Sequence, residues 1–293
     1  MVVHCEPVTT TLRLASPRFI AIPAPTLDSA RAARISLVVH DAARTGYDQQ
    51  ADVYASVRPR YHPALVERFI DKYAHGVVAD VGAGTGIFTS QLVEAGCVPI
   101  AIEPVASMRH AITAAHPTVT VFDGTAEDTG LDDNSVDTVV AAQAFHWFDH
   151  DAALAEIERI LRPDGFVVCV WNVRDETVDW VRRYTDVVDR HAGDTPRHRT
   201  MRWREAIDGS AAFEPVDDWS IANPRPTTPQ QVVDRALSTS FIAALEPAVQ
   251  LQVLNEIRQI AHDVGDSFDF PYRSEIQAWR LVSSRLPSNP GRS

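Results

Sequence analysis

The chain has 293 residues, of which 45% are hydrophobic and 23% charged, and its formal net charge at pH 7 is −12. Binding to a phosphate backbone needs clustered lysine and arginine, so this acidic balance argues against nucleic acid as the main partner. No apolar run approaches the length of a membrane span, and the three cysteines lack the spacing of a disulfide framework. We therefore expect a cytoplasmic protein that does not enter a membrane, and nucleic acid is disfavoured as a partner rather than excluded.

The first 45 residues differ from the rest of the chain. They mix short apolar pieces with scattered prolines and show no sustained periodicity. We expect residues 1–45 to form a poorly ordered N-terminal extension, with an extra helix over residues 27–43 as the alternative. The folded domain is then predicted to cover residues 46–293.

Helix and strand patterns alternate along the next part of the chain. Residues 63–73 carry apolar side chains at helical spacing behind Pro63, a residue favoured in the first turn of a helix. Short apolar runs then predict strands over residues 77–81, 98–102, 119–122, 136–142 and 166–171, with helices over 88–95, 107–115 and 152–161. This alternation predicts a parallel sheet covered by helices on both faces.

The pattern changes beyond residue 175. Helices are predicted over residues 178–191, 230–238 and 247–262, and strands over 216–222 and 274–282. A helical insert between two late strands would lie over the carboxyl edge of the sheet, where ligands bind in such folds. We therefore predict a core over residues 46–175, followed over residues 176–285 by the last strands and a helical lid.

A glycine-rich turn follows the first predicted strand. Asp80 ends the apolar run, and Gly82, Gly84 and Gly86 follow at every second position, so backbone N–H groups lie open to a polar ligand. A dinucleotide fingerprint would need a third glycine where Ile87 stands. The spacing therefore disfavours an NAD-dependent oxidoreductase. Residues 80–86 instead match the pattern D-x-G-x-G-x-G.

An acidic residue follows the second predicted strand. Glu103 stands nineteen positions after Gly84, and a carboxylate at about this distance from a glycine turn can accept hydrogen bonds from both hydroxyls of a ribose. Glu103 therefore predicts a ribose-binding site, and the alternative for it is a solvated carboxylate at a strand end.

Aromatic residues follow the fourth predicted strand. Residues 143–149 read Q-A-F-H-W-F-D, and four consecutive rings at the carboxyl end of a strand should lie near a ligand. The alternative is that some of them only pack beneath the next helix, for which Asp149 is a suitable N-cap. His146 is the candidate general base, because the ordinary pKa of histidine lies near working pH.

Three motifs together resemble a known family. The D-x-G-x-G-x-G run is similar to motif I of the class I S-adenosylmethionine (SAM) dependent methyltransferases. A-F-H-W-F at residues 144–148 and Y-x-x-x-R-P-x-Y at residues 54–61 resemble the group of type 11 and trans-aconitate methyltransferases. The resemblance implies an α/β fold with a Rossmann-like, doubly wound and mostly parallel seven-stranded sheet, whose last strand is antiparallel. It also implies methyl transfer from SAM to a small-molecule acceptor by in-line displacement.

The resemblance further implies which residues hold the cofactor. Asp80 and the glycine turn would hold the methionine end of SAM, and Glu103 would hold the ribose. Thr125 stands where many members carry an Asp that reads the adenine amino group, so either Thr125 or Glu127 would take this task. The complete set of implied cofactor-binding residues is Tyr54, Arg58, Asp80, Gly82, Ala83, Gly84, Glu103, Met108, Ala126, Glu127 and Gln143.

Other interpretations stay open at this point. A SAM- or nucleotide-binding module without catalysis would carry the same motifs, and an NAD-dependent oxidoreductase is the weaker alternative. A general base is needed only where the acceptor must lose a proton, so the catalytic role of His146 depends on an acceptor that the sequence does not identify. No metal site is predicted, because the histidines lack the ligand spacing of zinc sites.

Overall fold

The structure, a computed structural model, describes residues 58–193 and 195–282. The predictions for residues 1–45 and for Tyr54 lie outside these ranges. Nine strands run through the described part of the chain: β1 (Val78–Val81), β2 (Ile100–Ile102), β3 (Thr120–Phe122), β4 (Val136–Ala142), β5 (Leu161–Arg174), β6 (Phe213–Ala222), β7 (Arg225–Thr227), β8 (Phe268–Phe270) and β9 (Tyr272–Leu281). The helices are α1 (Pro63–Tyr73), α2 (Ile87–Glu94), α3 (Ala106–Ala115), α4 (His150–Ile160), α5 (Asp179–Asp189), α6 (Arg202–Asp208), α7 (Pro229–Leu237), α8 (Ser240–Ala243) and α9 (Pro247–His262).

Seven of the strands form one sheet in the order β3-β2-β1-β4-β5-β9-β6. The pairs from β3 to β5 are parallel, whereas β9 pairs antiparallel with both β5 and β6. β9 is therefore the one reversed strand of this sheet. The predicted fold, a mostly parallel seven-stranded sheet with an antiparallel last strand, is confirmed.

Both faces of the sheet are apolar, as the continuous hydrophobic runs predict. Along β5, Val167 and Cys169 pack in the cluster on one face, while Val168 and Val170 pack in the cluster on the other. Side chains alternate between faces with a period of two, so a strand covered on both sides needs apolar residues throughout.

Local sequence explains where several helices begin. Pro63 opens α1, where His62 Nδ1 accepts a hydrogen bond from the backbone N–H of Ala64 at 3.1 Å. Asp149 caps α4 by accepting from the N–H of Ala152 at 3.4 Å, as its sequence position predicts. In each case the side chain satisfies a backbone donor that the helix itself leaves without a partner.

Strand β5 begins earlier than the sequence predicts. Leu161 pairs with Val136, but the register then shifts so that Phe166 pairs with Thr138. Residues 162–165, which separate the predicted helix from the predicted strand, therefore form an irregularity within one strand, and they include Asp164 at a left-handed φ of 61°.

The helical segment has its own apolar core. Buried side chains of α5, α7, α8, α9 and β8 pack together there, among them Tyr184, Val232, Ile257 and Phe270. β7 and β8 form a separate antiparallel pair at its margin, which the sequence did not predict because three residues are too few to show an alternation. Among the helices of the described ranges, none has the length and apolarity needed to span a bilayer.

Candidate active site

A first cavity of about 160 Å³ lies where the parallel strands end. Its wall is built from the segments that directly follow β1, β2, β3 and β4, together with side chains from the start of the described chain and from α7. The carboxyl ends of parallel strands meet at one edge of a sheet, which explains why separate motifs converge. The predicted cofactor-binding residues found in this wall are Arg58, Gly82, Ala83, Gly84, Glu103, Met108, Ala126, Glu127 and Gln143.

The glycine turn forms part of the wall of the first cavity. Gly82 has a φ of 70° and Gly84 a φ of 59°. A Cβ at Gly82 would lie 2.8 Å from the Cβ of Ala144, so a close approach excludes a side chain there. A Cβ at Gly84 would meet no protein atom within 4 Å. The backbone at Gly84 therefore faces open space that a ligand can approach closely.

Glu103 is buried beside this turn, with 5% of its surface exposed. Its Oε2 accepts a hydrogen bond from the N–H of Gly84 at 2.8 Å, and its Oε1 accepts from the N–H of Val105 at 2.9 Å. Burial raises the pKa of Glu103 to about 7, although these hydrogen bonds and Arg109 act in the opposite direction. The carboxylate is thus held rigidly in the cavity wall.

Asp80 does not line the cavity. It is fully buried at the end of β1, and its Oδ2 accepts a hydrogen bond from Thr89 Oγ1 in the first turn of α2 at 2.6 Å. Its Oδ1 has no hydrogen-bond partner among the described residues. Burial raises the pKa of Asp80 to about 6. A buried carboxylate oxygen without a donor is costly unless a ligand compensates it.

The wall of the first cavity near Glu127 is fixed by hydrogen bonds. Glu127 Oε1 accepts from the N–H of Asp149 at 2.8 Å. The hydroxyl of Thr125 accepts from the N–H of Glu127 at 3.3 Å and of Asp128 at 3.2 Å. Thr125 therefore stabilises this turn, and Ala126 is buried between two polar side chains that line the cavity.

A second cavity of about 200 Å³ adjoins the first. The two cavities share four lining residues: Arg58, Gln143, Trp147 and Arg235. Gln143 has a left-handed φ of 58°, and its Nε2 donates to the carbonyl oxygen of Asn172 at 2.8 Å. This hydrogen bond fixes the side chain of Gln143 at the junction of the two cavities.

Arg235 is a site residue that the sequence did not reveal. It lies on α7 with 8% of its surface exposed, and its Nε donates to Tyr272 Oη at 3.1 Å. Its neighbours Val232 and Ala236 belong to the apolar stripe of the same helix. An arginine within an apolar stripe was the available signal, because arginine is rarely buried without a partner.

His146 lies in the second cavity and does not line the first. It belongs to a short 3₁₀ turn, Phe145–Trp147, and its Nδ1 is buried without a hydrogen-bond partner among the described residues. Burial, followed by the nearby His198, Arg58, Arg197 and His150, lowers the pKa of His146 to about 3. Its imidazole is therefore neutral at neutral pH and is a weak base.

The other predicted aromatic residues divide between core and cavity. Phe145 is fully buried in the core beneath α4, whereas Trp147 and Phe148 line the first cavity. Within residues 58–193 and 195–282, no three His, Cys, Asp or Glu side chains lie together in a group that could hold a metal ion.

Comparison with known proteins identifies the family of this chain. A family model described as a methyltransferase domain matches residues 79–169. An uncharacterised methyltransferase of Mycobacterium tuberculosis strain H37Rv is 36% identical over 207 residues, which cover 71% of this chain and 82% of that protein. An uncharacterised methyltransferase-like protein of Schizosaccharomyces pombe is 30% identical over 215 residues, which cover 72% of this chain and 84% of that protein.

Solved structures establish the same fold. A structure from Anaeromyxobacter dehalogenans, assigned as a type II methyltransferase, has a TM-score of 0.56 at 24% identity and covers 78% of this chain and 99% of its own. The [4+2]-cyclase SpnF has a TM-score of 0.55 at 15% identity and covers 83% of this chain and 96% of its own. At these sequence identities the two structures support the fold alone, and the sequence relatives show the family. The chain belongs to the class I SAM-dependent methyltransferases.

Proposed function

We propose that the first cavity binds SAM and that the second cavity binds a small-molecule methyl acceptor. The observation that carries this proposal is the shared wall: Arg58, Gln143, Trp147 and Arg235 line both cavities. Ligands that fill the two cavities would therefore meet at this junction. Methyl transfer requires such an arrangement, because the acceptor atom must approach the methyl group in line with the bond that breaks.

The residues of the first cavity fit SAM in charge and shape. Asp80 lies behind the glycine turn and outside the cavity wall, and its carboxylate, whose Oδ1 has no partner among the described residues, adds negative charge close to the turn that would receive the ammonium group of the methionine end. The open space at Gly84 admits a ligand close to the backbone. Each oxygen of Glu103 accepts only one protein hydrogen bond among those described, so each keeps a lone pair for a ribose hydroxyl.

Another part of the wall of the first cavity suits an adenine ring. Met108 and Val105, both buried, supply apolar surface in the cavity wall. Ala126 and Glu127 lie in the turn that Thr125 stabilises. We propose that Glu127 rather than Thr125 reads the adenine amino group, because the hydroxyl of Thr125 already accepts two backbone hydrogen bonds.

The chain's own contribution to the reaction is alignment and the exclusion of water. When SAM is bound, its sulfonium group supplies a methyl group that is already reactive towards a nucleophile. Gln143 is fixed at the junction by its hydrogen bond to Asn172, and Arg235 reaches the junction from α7. We propose that His146 serves the acceptor as a hydrogen-bonding group, since a pKa of about 3 makes it a poor proton acceptor.

The lid helices act together with the core as one domain in this proposal. Arg235 on α7 lines both cavities, so the site would be incomplete without the segment that follows residue 176. We also propose a cytoplasmic location. Cys97 and Cys169 are free thiols, which suits a reducing compartment.

The proposed function is tested by calorimetry on the full chain with SAM and S-adenosylhomocysteine, followed by a methyl-donor consumption assay on metabolite pools. We expect both nucleosides to bind with one site per chain, and at least one pool to support turnover. Binding without turnover on any pool would favour a SAM-binding module without catalysis. Failure of both nucleosides to bind, or displacement of SAM by a nicotinamide dinucleotide, would contradict the assignment of the first cavity.

A further inference from the structure

Arginine dominates the wall of the second cavity. Within the described part of the chain, five arginines line it, against the single carboxylate of Glu176; the arginines are Arg58, Arg174, Arg197, Arg199 and Arg235. The whole chain carries a formal charge of −12, so this positive charge is local and opposes the overall composition. A cleft lined by charges of one sign concentrates ligands of the opposite sign.

Within the described ranges, carboxylates form ion pairs with Arg197 and Arg199. Asp189, on α5, forms ion pairs with both Arg197 and Arg199, and Glu176 lies 3.4 Å from Arg199. These pairs hold the segment around residue 197 against α5. Arg197 and Arg199 therefore contribute less free charge to the cavity than their number suggests.

Arg174 has different surroundings. It is the last residue of β5, and its guanidinium lies 4.8 Å from the ring centroid of Tyr184. Its Nη1 donates to Thr185 Oγ1 at 3.4 Å. No ion pair with a carboxylate is found for Arg174 among the described residues, and both of these neighbours are neutral. The side chain is thus oriented by α5 while its charge is left for a ligand.

Two neutral imidazoles complete this wall. His146 Nδ1 and His198 Nε2 are both buried without a hydrogen-bond partner in the described ranges, and both residues line the second cavity. Burial lowers the pKa of His198 to about 4, so it is uncharged at neutral pH, like His146. They offer hydrogen bonds to a ligand without adding to the positive charge.

We propose, on the basis of the function proposed above, that the methyl acceptor carries a carboxylate or phosphate group that Arg174 binds in the second cavity. His146 and His198 hydrogen-bond to the rest of the acceptor. Arg174 lines the second cavity and not the first. Arg174 therefore determines acceptor specificity without contacting SAM. The anionic group of the acceptor contributes to binding and does not itself receive the methyl group.

The test uses the full chain saturated with S-adenosylhomocysteine and measures binding by calorimetry and tryptophan fluorescence. The probes are benzoate, succinate and phenyl phosphate, with benzamide and succinamide as neutral counterparts. We expect at least one anion to bind, and each amide to bind more weakly than its acid. Arg174→Gln should lower the affinity for that anion by about tenfold or more, the effect of losing one charge-assisted contact. A preference among benzoate, succinate and phenyl phosphate distinguishes carboxylate from phosphate.

Two further variants serve as controls. Arg174→Lys keeps the charge but loses the planar donor geometry, so it should retain part of the anion affinity. Arg182→Gln removes an exposed arginine of α5 that pairs with Asp179 and does not line the second cavity. It should therefore leave the affinity for the anion unchanged. All variants should bind S-adenosylhomocysteine as the unmodified chain does, which shows that they fold.

The outcomes separate this inference from the proposed function. Equal binding of acids and amides, unchanged anion affinity in Arg174→Gln, or no anion binding to the saturated chain would overturn the role of Arg174. If S-adenosylhomocysteine itself did not bind to the unmodified chain, the assignment of the first cavity would fail instead.

Discussion

The backbone N–H of Gly84 donates a hydrogen bond to Glu103 Oε2 at 2.8 Å and so joins two motifs that stand nineteen positions apart in the chain. Gly84 follows β1 and Glu103 follows β2, two neighbouring parallel strands. The hydrogen bond fixes the glycine turn relative to the carboxylate before any ligand binds. In our proposal this contact prearranges the groups that receive the methionine and ribose parts of SAM.

The pH dependence of SAM binding should report on Glu103. Burial raises its pKa to about 7, so the charged carboxylate, which accepts hydroxyl hydrogen bonds more strongly, prevails only above that pH. We expect SAM affinity to rise from about pH 6 to about pH 8. In Glu103→Gln the part of the rise above about pH 7 should disappear, since the carboxylate of Asp80 is already ionised there, and affinity near pH 8 should fall by about tenfold or more. Calorimetry across this range measures both effects, and an unchanged profile in the variant would assign the pH dependence to another group.

We expect the buried charge of Asp80 to lower the free energy of unfolding while it strengthens SAM binding. Its pKa is about 6 in the folded chain, above its ordinary value of 3.8. The folded state therefore holds the proton more tightly, and the free energy of unfolding falls as pH rises through this interval. Asp80→Asn has no such penalty, so its stability relative to the unmodified chain should increase by up to roughly 3 kcal/mol between about pH 4 and about pH 7.

Urea denaturation at several pH values measures this difference, with Thr89→Val as the control that removes the hydrogen bond but keeps the carboxylate. The same Asp80→Asn variant should bind SAM about tenfold more weakly, because it loses the negative charge behind the turn that would receive the ammonium group. A variant that gained stability but bound SAM normally would leave Asp80 a structural residue.

The imidazole of His146 should not titrate near neutral pH. Its pKa of about 3 lies below the range from about pH 5 to about pH 8 in which histidine commonly changes charge. We therefore expect its Cε1–H chemical shift to stay constant over that range in an NMR titration. The His146→Gln variant identifies the resonance by its loss. A midpoint near neutral pH would restore His146 as a candidate general base.

The sheet and the first cavity could be predicted because their signals are local. Each strand of the parallel half is a short apolar run, and the residues that define the cavity directly follow such runs. The fixed geometry of parallel strands then brings Gly84, Glu103 and Gln143 to one edge. No knowledge of long-range contacts was needed beyond that rule.

The second cavity could not be predicted in the same way. Its wall combines Arg174 at the end of β5 with Arg235 on α7 and His198 at the start of a short 3₁₀ turn, His198–Thr200, and these lie far apart in the sequence. Their meeting depends on how the helices that follow β5 pack around their own apolar core, which periodicity alone does not fix. Asp80 shows a related difficulty: its motif is plain, but only the fold reveals that it lies behind the turn and outside the cavity wall.

A matched pair of glycine variants should separate the turn's role in binding from its role in folding. Gly84 and Gly96 both have positive φ, 59° and 88°, and a Cβ at either would meet no protein atom within 4 Å. Alanine at each position should therefore cost a similar, small amount of stability, about 1 kcal/mol, from backbone strain.

Only Gly84 of these two glycines lines the first cavity, whereas Gly96 lies in the exposed turn after α2. Gly84→Ala should weaken SAM binding by about tenfold or more, equivalent to roughly 1.4 kcal/mol, and Gly96→Ala should not change it. Equal SAM affinity in the two variants, measured by calorimetry on chains of matched thermal stability, would show that no ligand approaches the backbone at Gly84.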